Sequence, residues 1–111
     1  SAMSEALSLA ISGLNDAALR VVNAASNIVN ASSTTKDGKN FAGRDVTTLT
    51  QSTGNNNLGV RSEYRNRQSR GPVDIAAEVV DSVAARVEYH ANANVIKAIN
   101  QDEKKLLDIL A

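Results

Sequence analysis

Alanine recurs at intervals of seven toward both ends of the chain: Ala10, Ala17, Ala24 and Ala31 near the start, Ala77, Ala84, Ala91 and Ala98 near the end. Seven residues are close to two turns of α-helix, so each set forms a column on one side of a helix. Leu7, Leu14, Val21 and Ile28 run beside the first column at the same spacing, with Ile11, Ala18 and Ala25 on its other flank. Val73, Val80 and Val87 run beside the second. Small side chains in columns let two helix backbones approach closely, while larger neighbours fill the grooves. The pattern predicts two long helices, one toward each end, built to pack on each other or on copies of themselves.

The first helix reads as residues 4–31, with Ser4 as cap and Glu5 where the helix dipole favours negative charge. Asp16, Arg20, Asn23, Asn27 and Asn30 form a polar line on its far side. Gly13 interrupts it at a cost of about 1 kcal/mol relative to alanine, which close backbone packing would offset. Residues 32–71 form a polar middle. A turn is expected at Thr35–Lys39 around Asp37-Gly38, and a small β-hairpin with strands at Val46–Gln51 and Leu58–Tyr64 joined by a polar loop. Gly71-Pro72 opens the second helix, residues 72–111, with Pro72 at the first helical position. The fold class that follows is mainly α: long terminal helices, packed as an antiparallel pair or coiled-coil bundle, around a short irregular or hairpin middle.

Phe41, Tyr64 and Tyr89 are the only aromatic residues among 111, and there is no tryptophan. Aromatic side chains dominate the core energetics of ordinary small domains. This chain must rely on Ala, Val, Ile and Leu, so its core is expected to be shallow and to be completed by partner chains. The formal net charge is zero, which gives no overall attraction for nucleic acid or an anionic membrane. Without cysteine, disulfides, thiolate catalysis and most structural zinc schemes are excluded. Residues 1–3 read as a tag scar followed by a native start at Met3, and no segment has the apolar run of a cleaved signal or membrane span.

Twelve residues stand out as packing positions: Leu7, Ile11, Leu14, Ala17, Val21, Ala24 and Ile28 on the first helix, with Val80, Ala84, Val87, Ala91 and Val95 on the second. Asn27, Asn30 and Asn92 are candidates for buried polar contacts that set helix register, as asparagine does in coiled coils; a solvated face is the other reading, shared by Asn23 and Asn94. Arg86, near Asp81 and Glu88, reads as a surface ion-pair former. His90 has no second histidine or cysteine at ligand spacing and reads as structural or exposed. Arg61, Arg65, Arg67 and Arg70 around Tyr64 make the one basic cluster, diluted by Glu63; a neighbouring subunit suits it better than phosphates. No phosphate-binding loop and no nucleophile motif occur, so the expectation is a non-enzyme without cofactor or metal.

The stretch Ile11-Ser-Gly-Leu-Asn-Asp-Ala-Ala-Leu-Arg-Val-Val-Asn-Ala-Ala-Ser-Asn-Ile-Val-Asn-Ala31 resembles the N-terminal signature of bacterial flagellar rod and hook axial proteins. Val73-Asp-Ile-Ala-Ala-Glu-Val-Val and Glu88-Tyr-His-Ala-Asn-Ala-Asn-Val-Ile96 resemble that family's C-terminal signature. Lys36-Asp-Gly-Lys-Asn-Phe-Ala-Gly-Arg-Asp-Val46 is similar to the short proximal-rod protein C type, although Arg70-Gly71-Pro72 replaces the Gly-Tyr element common before the C-terminal helix. The resemblance implies a structural subunit of the flagellar basal-body rod, exported by the type III route without a cleaved signal. Its terminal helices would form the inner layer of a tubular polymer with other rod subunits or copies of itself, with no nucleic acid and no membrane insertion. Judged on the residues alone, a helical protein–protein interaction module outside the flagellum is the other reading.

Overall fold

The computed structural model describes residues 2–32, 41–51, 59–67 and 72–110. Two long helices flank a two-stranded hairpin: α1 at Ala2–Val29, β1 at Arg44–Gln51, β2 at Gly59–Asn66 and α2 at Ile75–Leu110. The molecule is a rod, with principal extents of 66 × 28 × 18 Å. The 36 residues of α2 account for most of that length, since each helical residue adds about 1.5 Å. The fold is mainly helical, as the alanine columns require.

α1 begins at Ala2, so Ser4 lies inside its first turn rather than capping it. It stops where Asn30 turns back on its own carbonyls. The Asn30 backbone N–H donates to the Ser26 carbonyl at 3.0 Å, and its side-chain amide donates to the same oxygen at 2.9 Å. Ala31 N–H then closes a tighter turn onto Ile28 at 3.2 Å, the kind of bond that satisfies carbonyls a helix end leaves open.

α2 starts three residues later than Pro72 suggests. Asp74 is its cap, accepting the Ala77 N–H on Oδ1 at 3.3 Å, while its carbonyl accepts the Glu78 N–H at 3.1 Å. Its carboxylate supplies what proline cannot, an acceptor for an otherwise unpaired backbone donor.

The strands pair antiparallel in a register running from Arg44 opposite Asn66 to Gln51 opposite Gly59. Each is two residues longer at the open end than the Val46–Gln51 and Leu58–Tyr64 runs indicated. Arg67 N–H extends the ladder to the Gly43 carbonyl at 3.1 Å, and the Arg44 guanidinium lies 4.3 Å above the Tyr64 ring. Gly43 has φ +83° and Gly59 φ +129°, conformations that strain any residue with a Cβ. A Cβ at Gly59 would also collide with the Ser12 side chain, and a glycine thus stands at or just before the start of each strand. The turn expected at Thr35–Lys39, the polar loop at 52–57 and Arg70 lie outside the described residues.

The helices run antiparallel: Gly13 sits against Asn92, and Ala24 shares a cleft with Ala84 and Ala85. On α1 the contact line is the alanine column, with Ala10 at 5%, Ala17 at 0% and Ala24 at 1% exposure. The matching line on α2 is displaced by one residue from the predicted column. Glu78, Ser82 and Ala85 are buried, and Asn92, Ile96 and Ile99 continue the line half-buried. Ala77, Ala84, Ala91 and Ala98 are all exposed.

Candidate assembly surface

The polar line of α1 carries the hairpin. Asp16 is buried beneath both strands and collects three donors: Ser62 Oγ at 2.5 Å, Thr48 Oγ1 at 3.0 Å and Arg20 Nε at 3.0 Å. Arg20 also donates to the Thr48 hydroxyl. Burial alone pushes the Asp16 carboxyl up. The bonds from Ser62, Arg20 and Thr48, with the charge of Arg20, outweigh it and hold the group below the usual aspartate value. A group depressed in the folded state releases its proton more readily there than in the unfolded chain. Its stabilisation is therefore full above the ordinary aspartate pKa of about 4 and is lost as pH falls through the folded value. Urea unfolding of Asp16→Asn beside the parent at pH 6 and pH 3 is expected to show a stability gap that narrows at the lower pH; an equal gap at both would rule this out.

Three turns further on, Asn27 docks β1 as a strand would. Its Oδ1 accepts the Arg44 N–H at 3.0 Å, and its Nδ2 donates to the Arg44 carbonyl at 2.9 Å. Asn23 Nδ2 donates to the same carbonyl at 2.7 Å. Ser12 anchors the other strand, accepting the Val60 N–H at 3.1 Å while donating to Leu9 O at 2.8 Å. The face that periodicity placed away from the core is thus the seat of the hairpin. Of the three register candidates, Asn27 alone reaches another element by hydrogen bond among the described residues; Asn30 bonds back to Ser26 of α1, and Asn92 donates to Glu88 O of its own helix at 3.0 Å.

Asn92 has a second part, filling the notch that Gly13 leaves. A Cβ on Gly13 would lie 2.8 Å from the Asn92 amide. Gly13→Ala is accordingly expected to displace the Asn92 amide and to leave the melting temperature of the parent little changed. In an Asn92→Ala background it should raise it, because the helix-propensity gain of about 1 kcal/mol is then unopposed. Thermal unfolding of the four variants by circular dichroism measures the coupling, and parallel shifts in both backgrounds would exclude it.

Arg67, just past β2, ties the hairpin to α2. Its Nη2 pairs with Glu78 Oε1 at 2.6 Å, and its Nε donates to Asp45 Oδ1 at 2.7 Å. Glu78 is only 2% exposed. This pair borders a cleft of about 160 Å³ lined also by Arg20, Asn23, Asp81 and Glu88. Sequence reading placed Arg67 in a basic surface cluster; its carboxylate partners come from separate elements and leave no local signal. Arg61 is likewise paired, with Glu63 at 3.4 Å. Among the described residues no group of three or more His, Cys, Asp or Glu side chains could hold a metal ion. His90 is exposed and stacks edge-on against Tyr89 at 6.0 Å.

The packing candidates separate cleanly. On α1, Ala17 and Ala24 are buried against α2, Leu7, Leu14, Val21 and Ile28 are half-buried, and Ile11 is exposed. On α2, Val80, Ala84, Val87, Ala91 and Val95 are all exposed, Val80 at 66% and Val87 at 64%, although Ala84 borders the cleft that Ala24 lines. Within one chain the second stripe does not pack on the first, because polar Glu78, Ser82 and Asn92 occupy the α1-facing side. The outward side of α2 therefore carries an exposed line of Val80, Ala84, Val87, Ala91 and Ala98, broken at Asn94. No helix of the described residues is long and apolar enough to cross a membrane. The sequence matches no protein-family model, and no curated protein matches it significantly.

Proposed function

We propose that this chain is a non-enzymatic structural subunit that works by helix-to-helix association, a protein–protein interaction module whose partners include copies of itself. The observation that carries this reading is the outward face of α2, where Val80, Val83 and Val87 are each more than half exposed in a line along the rod. Contiguous apolar surface of this kind marks interaction sites in soluble proteins. Of its apolar side chains, by contrast, the single chain buries only four alanines and Val73 among the described residues. Light scattering and circular dichroism across a dilution series test the reading. Assembly with helix content that rises with concentration is expected; an equally folded monomer at every concentration counts against it.

Within this class, the signatures at 11–31 and 73–96 favour an axial subunit of the bacterial flagellar rod, exported without a cleaved signal to the periplasmic basal body. That finer reading rests on the residue resemblance, and the geometry alone serves a non-flagellar module equally well. Deleting the gene in the organism that encodes it separates the two. Loss of swimming, with the chain found in purified basal bodies of the parent, supports the rod; normal swimming retires the rod and leaves the module.

A further inference from the structure

Among the described residues, α1 has an unpartnered apolar seam of its own. Ile11, Asn15, Ala18, Val22, Ala25 and Val29 follow one another at alternating spacings of four and three, on the side of α1 turned away from the hairpin. Val22 is 60% and Val29 77% exposed. Read backwards, the outward line of α2 has the same spacings: Ala98, Asn94, Ala91, Val87, Ala84 and Val80. Laid antiparallel, the two lines match at every layer. Val29 meets Val80, Ala25 meets Ala84 and Val22 meets Val87; Ala18 then meets Ala91, Asn15 meets Asn94 and Ile11 meets Ala98.

We infer that the outward face of α2 docks on the outward face of α1 in a second copy of this chain, with Asn15 and Asn94 fixing the register. The inference rests on the self-association reading and names its partner and contact. Each face carries one asparagine, and only this alignment sets the two against each other; a shift by a heptad would bury each amide against an apolar side chain, the penalty by which polar residues specify coiled-coil register. Charge points the same way. The positions flanking the α1 seam are Ser12, Leu19 and Ser26 on one side, and Leu14, Val21 and Ile28 on the other, with no charge among them. Asp81 and Glu88, which flank the α2 seam, therefore meet no carboxylate. Two α2 faces packed antiparallel about their centre would oppose Glu88 to its own copy.

The contact joins different surfaces, so it repeats. Every chain offers one α1 seam and one α2 seam, and both can be filled at once by two neighbours in the same orientation. Such a head-to-tail contact propagates as an array of copies in one orientation.

The full chain has no cysteine, so single cysteines report contacts without background. Val22→Cys and Val87→Cys, both at exposed sites, are treated with a short bis-maleimide separately and mixed. A mixed 22–87 dimer several-fold above either variant alone is expected, and a ladder from the double variant. Efficient Val87→Cys self-linking, or oligomers by light scattering without the 22–87 product, overturns the seam and leaves the self-association reading standing. A monomer in every sample overturns both. For register, Asn94→Lys should weaken association about tenfold, and adding Asn15→Asp should restore it at low salt; no rescue by the second change overturns the assigned layer.

Discussion

Replacing Arg67 with alanine should lower the free energy of unfolding by about 3 kcal/mol, the largest effect of any single change considered for the isolated chain. The reason lies with Glu78, which is 2% exposed and depends on Arg67 Nη2 at 2.6 Å. Removing the guanidinium strands a buried carboxylate, and the loss reflects its unpaired charge more than the worth of the ion pair. Arg67→Ala combined with Glu78→Gln should therefore recover most of the loss. Urea unfolding of the parent, both single variants and the double variant provides the cycle. A double variant as unstable as Arg67→Ala alone would show that Arg67 acts through Asp45 and the ladder bond to Gly43 instead.

Asn27→Ala should follow, at about 2–3 kcal/mol. Its side chain is fully buried and answers both the N–H and the carbonyl of Arg44. Asn23 keeps the carbonyl partnered in the variant, so the orphaned Arg44 N–H carries most of the cost. The loss is local in origin: amide exchange should accelerate first in β1 and β2, with the α1–α2 contact protected longer. Uniform acceleration along the whole chain would mean that hairpin and helix pair unfold as one unit. Asn27→Asp separates acceptor from donor, keeping the bond from Arg44 N–H while setting a carboxylate against the Arg44 carbonyl.

These two side chains also mark where sequence reading succeeds and where it stops. The alanine column of α1 was legible because a seven-residue period of small side chains has one natural use, and Ala10, Ala17 and Ala24 are buried as it requires. The two strands were legible from the Thr/Val run and the polar loop after it. The inner face of α2 was not. Periodicity favours Val80 and Val87, yet Glu78, Ser82 and Ala85 occupy the contact. What makes Glu78 tolerable there is Arg67, eleven residues earlier and on another element, and no local pattern announces that pairing. Asn27 belongs to the same class. As one of several asparagines at helical spacing it had two readings, and the choice depended on which backbone arrived above it. Polar contacts between elements are fixed by tertiary geometry, whereas apolar columns are written into a single helix.

The hairpin is seated on one flank of α1 only, through Asp16, Asn23 and Asn27. Chains stacked through their other flanks would all hold their strands toward a common side, as tiles overlap with their decorated edges outward. Such a sheet has a smooth helical lining and a studded exterior. Substitutions on the outer face of the hairpin would then leave every layer of that lining undisturbed.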